Sequence, residues 1–182
     1  MVNTAAQVDP AGCSHSMTIV ARTFATFAEG FALSYADEVS GETYFATFAT
    51  AEPDPRRAAI WEKIALIENC MEAALRPLAK ALGVIPPDLA ALRQSGREEA
   101  LANPIQSWEA AMEEMVREYP AYLDEFAGLK AIAPQEAFDV MDLLCAHEVA
   151  MIDFAKLDLA GNRDPGAPLD AFLTRLGKWS AT

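Results

Sequence analysis

Cysteine, histidine and basic residues are scarce in this sequence. Its three cysteines, Cys13, Cys70 and Cys145, stand far apart among 182 residues, so they form neither a disulfide framework nor a CxxC motif. This pattern favours a reducing, cytoplasmic location. Lys and Arg total 14 against 27 Asp and Glu, which leaves a net charge of −13. Because phosphate repels such a chain, we expect neither nucleic acid nor an anionic membrane surface as its partner.

Long apolar runs and catalytic motifs of high specificity are also missing. No stretch of about 18 apolar residues occurs, and the first residues have neither the basic start nor the apolar run of a signal peptide. We therefore expect neither export nor membrane insertion. Apolar residues still make up 52% of the chain, which is enough for one folded domain with a sizeable buried core.

Apolar residues recur at steps of three and four, which predicts four long helices, at 16–51, 54–82, 104–127 and 134–160. Shorter helices are predicted near 89–93 and 168–176. No segment alternates as a strand does, so the predicted fold class is all-α: a four-helix bundle with a short connecting helix and a short C-terminal helix. Residues 1–15 are predicted to be a flexible N-terminus, 16–161 the bundle, and 162–182 a loop and helix that pack on it.

Ionisable side chains interrupt the apolar stripes of three of these helices. Glu38 and Glu42 continue the stripe of the first helix without a change of phase. Glu68 lies roughly 50° from the centre of the apolar arc of the second helix, and His147 and Glu148 flank the apolar centre of the fourth. We therefore expect all five side chains to face one interior.

These side chains are also predicted to share one height in the bundle. Glu38 and Glu68 are equally far along the chain from the turn near Pro53, and His147 lies at the middle of its helix, as Glu68 does. A lone buried carboxylate costs several kcal/mol unless it is protonated, paired or bound to a cation, and no predicted core stripe carries Lys or Arg at this height. The pattern therefore predicts a metal site made of residues from three helices: Glu38, Glu42, Glu68, His147 and Glu148.

The chain resembles the ferritin-like superfamily of carboxylate-bridged dimetal bundles over about 16–161. The resemblance rests on the helix count, on the long connection between the second and third helices, and on the mid-helix Glu68, His147 and Glu38 or Glu42. The family pattern Glu-x-x-His is half kept in each of two tetrads, Glu68-Asn69-Cys70-Met71 and Leu144-Cys145-Ala146-His147. It implies iron or manganese, held asymmetrically as one cation, and, if the protein is an enzyme, an activity of the oxidase or oxygenase type.

Other interpretations of the same residues stay open. The carboxylates of a metal-free ferritin-like binding or interaction module would be protonated, or hydrogen-bonded to Tyr35, Tyr119 or His147. A bundle of this kind can also hold a small organic molecule in a hydrophobic pocket lined by Phe, Tyr and Met. A homodimer is predicted from Gly30 and Gly41, which lie on one side of the first helix and would let another backbone approach closely.

Overall fold

The computed structural model describes residues 20–179, and their regular secondary structure is entirely helical. No strand occurs in that range, so the all-α fold class is confirmed. The helices are α1 Phe27–Ala51, α2 Pro55–Leu82, α3 Leu89–Ala102, α4 Trp108–Glu118, α5 Pro120–Ala131, α6 Phe138–Leu159 and α7 Ala167–Trp179, with a 3-10 turn at Gln135–Ala137. The predicted flexible segment 1–15 lies outside the described residues, as do 16–19 of the first predicted helix and the last three residues.

One apolar core joins the long helices. α1 packs along α2, α4 and α5 pack on α6, and α7 lies across α2 and α6, while α3 packs against α1. A chain of aromatic contacts crosses the core, with ring centroids 5.9 Å apart for Phe45 and Trp61, 5.3 Å for Trp61 and Trp108, and 6.3 Å for Trp108 and Phe154. These rings come from α1, α2, α4 and α6. Between residues 20 and 179 no helix is both long and apolar enough to cross a membrane.

The first helix begins later than predicted. Thr26 caps α1 by accepting a hydrogen bond from the Glu29 amide at 3.2 Å, and the Glu29 carboxylate accepts one from the Ala25 amide at 3.2 Å. This exchange is a variant of the capping box, which favours a helix start at Phe27. The predicted helix is therefore wrong for residues 20–26. The start of α2 is confirmed, since Asp54 accepts hydrogen bonds from two amides of its first turn.

The third predicted helix, at 104–127, is divided in two. Ser107 caps α4, with its hydroxyl accepting from the Ala110 amide at 3.1 Å. The predicted helix is broken at Pro120, because proline has no amide to continue the helical hydrogen bonding and instead occupies the first position of α5. The last long helix also starts four residues later than predicted, after the 3-10 turn.

Side chains of the same chain fill the two glycine positions from which a homodimer was predicted. A Cβ atom at Gly30 would lie 2.6 Å from Leu129 and from Phe24, and one at Gly41 would lie 2.8 Å from Glu68. A second backbone therefore has no room at either glycine, and this ground for the homodimer is wrong. The homodimer itself stays a prediction.

Gly96 brings α3 close to α1. A Cβ atom there would lie 2.1 Å from the Ser40 carbonyl oxygen and 2.8 Å from the Thr43 hydroxyl. The same hydroxyl donates to the Arg93 carbonyl at 2.5 Å, so α1 and α3 are joined where their backbones meet.

We expect Gly96→Ala to lower the free energy of unfolding by about 2 kcal/mol, because the methyl group meets backbone that has little room to shift. Gly128→Ala is the matched control: nothing lies within 4 Å of its added Cβ atom, and alanine favours a helix by up to about 1 kcal/mol. Urea unfolding measures both. Equal stability of the two variants would contradict the close contact between α3 and α1.

Candidate metal centre

The imidazole of His147 lies between two carboxylates from other helices. Its Nδ1 is 3.6 Å from an oxygen of Glu38 on α1, and its Nε2 is 3.3 Å from an oxygen of Glu68 on α2. One ligand atom from each of these residues lies within 4.8 Å of the others. All three residues are buried, with exposed fractions of 4%, 6% and 2% for Glu38, Glu68 and His147. Three helices thus bring two carboxylates and an imidazole to one point of the core.

Helical phase accounts for this convergence. Glu38 follows the buried Tyr35 by three residues, and Glu68 lies between the buried Ile64 and Met71. The expectation that Glu68 and His147 are buried and close together is confirmed. Glu62 and Arg76 are exposed, as the helical phase that turns Glu68 inward requires.

Glu148 adds a third carboxylate on the Nδ1 side of the imidazole. Its oxygen is 3.9 Å from Nδ1, and its residue is 6% exposed. Like Glu38, it carries an oxygen without a hydrogen-bond partner.

Four buried polar atoms of this cluster make no hydrogen bond within residues 20–179: Glu38 Oε2, His147 Nδ1, His147 Nε2 and Glu148 Oε2. A buried polar atom left in this state costs roughly 1–3 kcal/mol. Native cores avoid such groups, and a cluster of them is explained by a role that needs them. Their concentration around one imidazole is the chief sign of a ligand site.

The cluster has an unusual protonation state. Burial raises the pKa of Glu38 to about 8, although the charge of His147 opposes it, and burial also raises the pKa of Glu148 to about 8. Burial disfavours the charged form of His147, but Glu68 and Glu38 outweigh it and hold the pKa of the imidazole well above its ordinary value. Burial thus favours the protonated form of the Glu38 and Glu148 carboxyls, and the neighbouring carboxylates favour the imidazolium form of His147.

Glu42 lies outside the cluster. Its carboxylate is 29% exposed and accepts a hydrogen bond from Nε of Arg93 on α3 at 3.0 Å. Arg93 also comes within 3.8 Å of the Glu72 carboxylate. Arg93, on the connecting helix α3, therefore pairs with Glu42, the outer of the two α1 carboxylates that were predicted as metal ligands. Of these two, Glu38 is the one that lies in the cluster.

Glu72 is a buried carboxylate that the sequence analysis missed. It accepts hydrogen bonds from the Tyr35 hydroxyl and from the Arg76 guanidinium, the latter at 2.6 and 2.8 Å. Burial acts to raise the pKa of Glu72, but these hydrogen bonds and the charges of Arg76 and Arg93 outweigh it and lower that pKa. The sequence does contain a signal for this residue. Glu72 is four residues after the inward-facing Glu68, so it lies near the same face of the helix, and it is four residues before Arg76, which is the spacing of a helical ion pair.

Two carboxylates in the range of the predicted third helix are buried. Glu118 and Glu125 are 4% and 2% exposed. Glu125 accepts hydrogen bonds from the Arg22 guanidinium at 2.6 and 2.8 Å, and Glu118 pairs with Arg117 at 2.6 Å. The residues before α1 thus supply a cation to α5, a contact across 103 positions that no local pattern predicts.

A phenyl ring closes the cluster on the side of α7. The Phe172 ring stacks on the His147 imidazole, with centroids 5.7 Å apart and an angle of 19° between the planes. Phe172 also lines a surface groove of about 460 Å³ between α6 and α7, together with Ala146, Ala150 and Arg175. The same ring thus contacts both the buried imidazole and this groove.

The residues present fit a divalent transition metal. Zinc, as a typical case, binds nitrogen and oxygen at about 2.0–2.2 Å, so two ligands of one ion lie at most about 4.4 Å apart. One candidate atom from each of Glu38, Glu68 and His147 lies within 4.8 Å of the others, which is close to that limit. Glu38 and Glu68 approach different nitrogens of His147, and a carboxylate that did not reach the ion would orient the imidazole, as such contacts do in metal-bound histidines.

No protein-family model, curated protein sequence or solved structure matches the chain.

We expect Glu72→Gln to lower the free energy of unfolding by about 2 kcal/mol at pH 7, since it removes charge-assisted hydrogen bonds. The folded pKa lies below the ordinary value of 4.5, so this stabilisation is present above that pH and is lost as the pH falls through the folded pKa. Denaturant unfolding at several pH values measures the difference. Glu62→Gln, on the exposed face of α2, is the control and should change little at any pH.

A separate expectation concerns Phe172→Leu. Loss of the ring removes the cover on His147, so diethyl pyrocarbonate should modify His147 faster, at a stability cost of about 1 kcal/mol. Peptide mapping distinguishes His147 from His15, and Phe138→Leu, which changes a phenylalanine that is 40% exposed, is the control. An unchanged rate would mean that other groups shield the imidazole or that its neighbouring carboxylates keep it protonated and unreactive.

Proposed function

We propose that this protein binds one iron or manganese ion in its core through Glu38, Glu68 and His147, with Glu148 as an additional carboxylate at the site. The observation that carries the proposal is the group of buried, unpartnered oxygen and nitrogen atoms around His147. A divalent cation would partner these atoms and balance the carboxylate charge. Carboxylates and an imidazole projecting inward from facing helices are the usual ligand set of metal sites in bundles.

The donor set favours iron or manganese. Carboxylate oxygens suit manganese, imidazole nitrogen suits iron, and no thiolate belongs to the cluster. Two carboxylates and one imidazole leave positions for water or a substrate, which a catalytic site needs. A bound ion of this kind would supply Lewis-acid or redox chemistry, and an oxidase or oxygenase type of activity is the enzymatic form of the proposal.

The proposal extends to the kind of protein. The all-α core, with Glu38, Glu68 and His147 at mid-helix, is compatible with a ferritin-like bundle in which one cation replaces two. Cys70 and Cys145 are free thiols, in keeping with a cytoplasmic location. We also propose that the protein forms a homodimer, through an interface that does not include Gly30 and Gly41.

A metal-free interaction module is the second candidate, and one observation favours it. The imidazolium form of His147 balances one negative charge of the cluster, and the raised pKa values of Glu38 and Glu148 reduce the charge that remains. The two candidates differ in whether the purified protein takes up metal.

We expect the protein to bind about one equivalent of Mn²⁺ or, without oxygen, Fe²⁺, and His147→Ala and Glu68→Gln to lose most of that affinity. Each variant removes a ligand atom or the partner that orients the imidazole, a change that costs at least about 10–100-fold. Calorimetric titration measures the affinity, and thermal melting shows whether the variants fold.

Glu42→Gln is the matched control for Glu68→Gln. It makes the same chemical change on a bundle carboxylate, but Glu42 is bonded to Arg93 outside the cluster, so the affinity should be retained. If the parent protein binds neither ion after reconstitution, the metal-free module becomes the better account. If Glu42→Gln loses the ion as completely as Glu68→Gln, the ligand set proposed is wrong.

A further inference from the structure

Gly41 faces the carboxylate of Glu68 across the contact between α1 and α2. A Cβ atom at this position would lie 2.8 Å from Glu68 Oε2, 3.0 Å from Cδ and 3.3 Å from Cγ. The side chain of Glu68 therefore lies flat against a stretch of α1 that has no side chain. Gly41 is three residues after Glu38 on α1. The Glu68 carboxylate therefore contacts α1 within one helical turn of Glu38.

The helix gives no local reason for a glycine here. Gly41 lies inside α1, where its φ is not positive and where alanine is the better helix former. The backbone of another helix is not among the three nearest atoms that a Cβ would meet, in contrast to Gly96, where the carbonyl of Ser40 is. What a side chain at position 41 would displace is the end of Glu68.

We infer that Gly41 is a positioning residue for the candidate metal centre, because it makes the room in which the Glu68 carboxylate reaches His147. This inference rests on the proposed function. A methyl group at position 41 would push the carboxylate away from α1, while the flexible glutamate absorbs the shift without moving backbone. The expected effect is therefore on the geometry of the centre and not on the fold.

The test is metal binding by Gly41→Ala beside the parent protein, with Gly128→Ala as the matched control. We expect Gly41→Ala to bind Mn²⁺ about 10–100-fold more weakly than the parent, as losses of orienting contacts do, and to melt no lower. Gly128→Ala should bind as the parent does. A melting temperature lowered as in Gly96→Ala would overturn the inference, since Gly41 would then serve backbone packing.

A double-mutant cycle with Glu68→Asp isolates the contact. Aspartate is one methylene shorter and lacks the Cδ and Oε atoms that come within 3.0 Å of the added methyl group, so Gly41→Ala should have a smaller effect on Mn²⁺ binding in the Glu68→Asp background. Additive losses would overturn the inference. If the parent protein binds Mn²⁺ and Gly41→Ala binds it equally well, the inference about Gly41 is wrong and the proposed function stands. If the parent protein binds neither Mn²⁺ nor Fe²⁺, the proposed function itself is wrong.

Discussion

The structure depends on a charge constraint at the middle of its core. Glu38, Glu68 and Glu148 surround the single imidazole of His147, and all four residues are buried. Removing ions from water costs several kcal/mol each, so such a group persists only when protons or a cation balance it. The helices that supply these residues are held together by apolar packing over long lengths, and that packing offsets the cost of the polar centre.

The other buried carboxylates show how this chain satisfies a carboxylate that serves structure. Glu72 is bonded by Arg76 and Tyr35, and Glu125 by Arg22. Each of these arginines is partly exposed, so the chain delivers a guanidinium from the surface to a buried acid. No such cation reaches Glu38 among the described residues, where its contacts are His147 and other acids. The difference between the two kinds of acid supports a role for the central cluster beyond packing.

Features with a local or periodic cause were predictable from the sequence. The phases of Glu68 and His147 follow from the apolar stripes, and the start of α2 follows from Asp54. The capping box at Thr26 was overlooked because aromatic periodicity ran through it. The pairing of Glu42 with Arg93 was not predictable, since it depends on where α3 docks against α1, which Gly96 decides by backbone contact. Contacts between segments that are far apart in the sequence produce no periodic pattern from which they could be predicted.

Proton exchange explains why an uncompensated carboxylate cluster suits a cation site. Burial raises the pKa of Glu38 and Glu148 to about 8, and the neighbouring carboxylates raise the pKa of His147, so this buried cluster favours protons as its counter-charges. A divalent ion of the kind proposed would displace such protons, so its affinity would rise with pH. A guanidinium in the same place, as at Glu72, would neutralise the carboxylates permanently. Because protons leave and a fixed arginine does not, the cluster keeps its carboxylates and its imidazole available for a cation of the kind proposed.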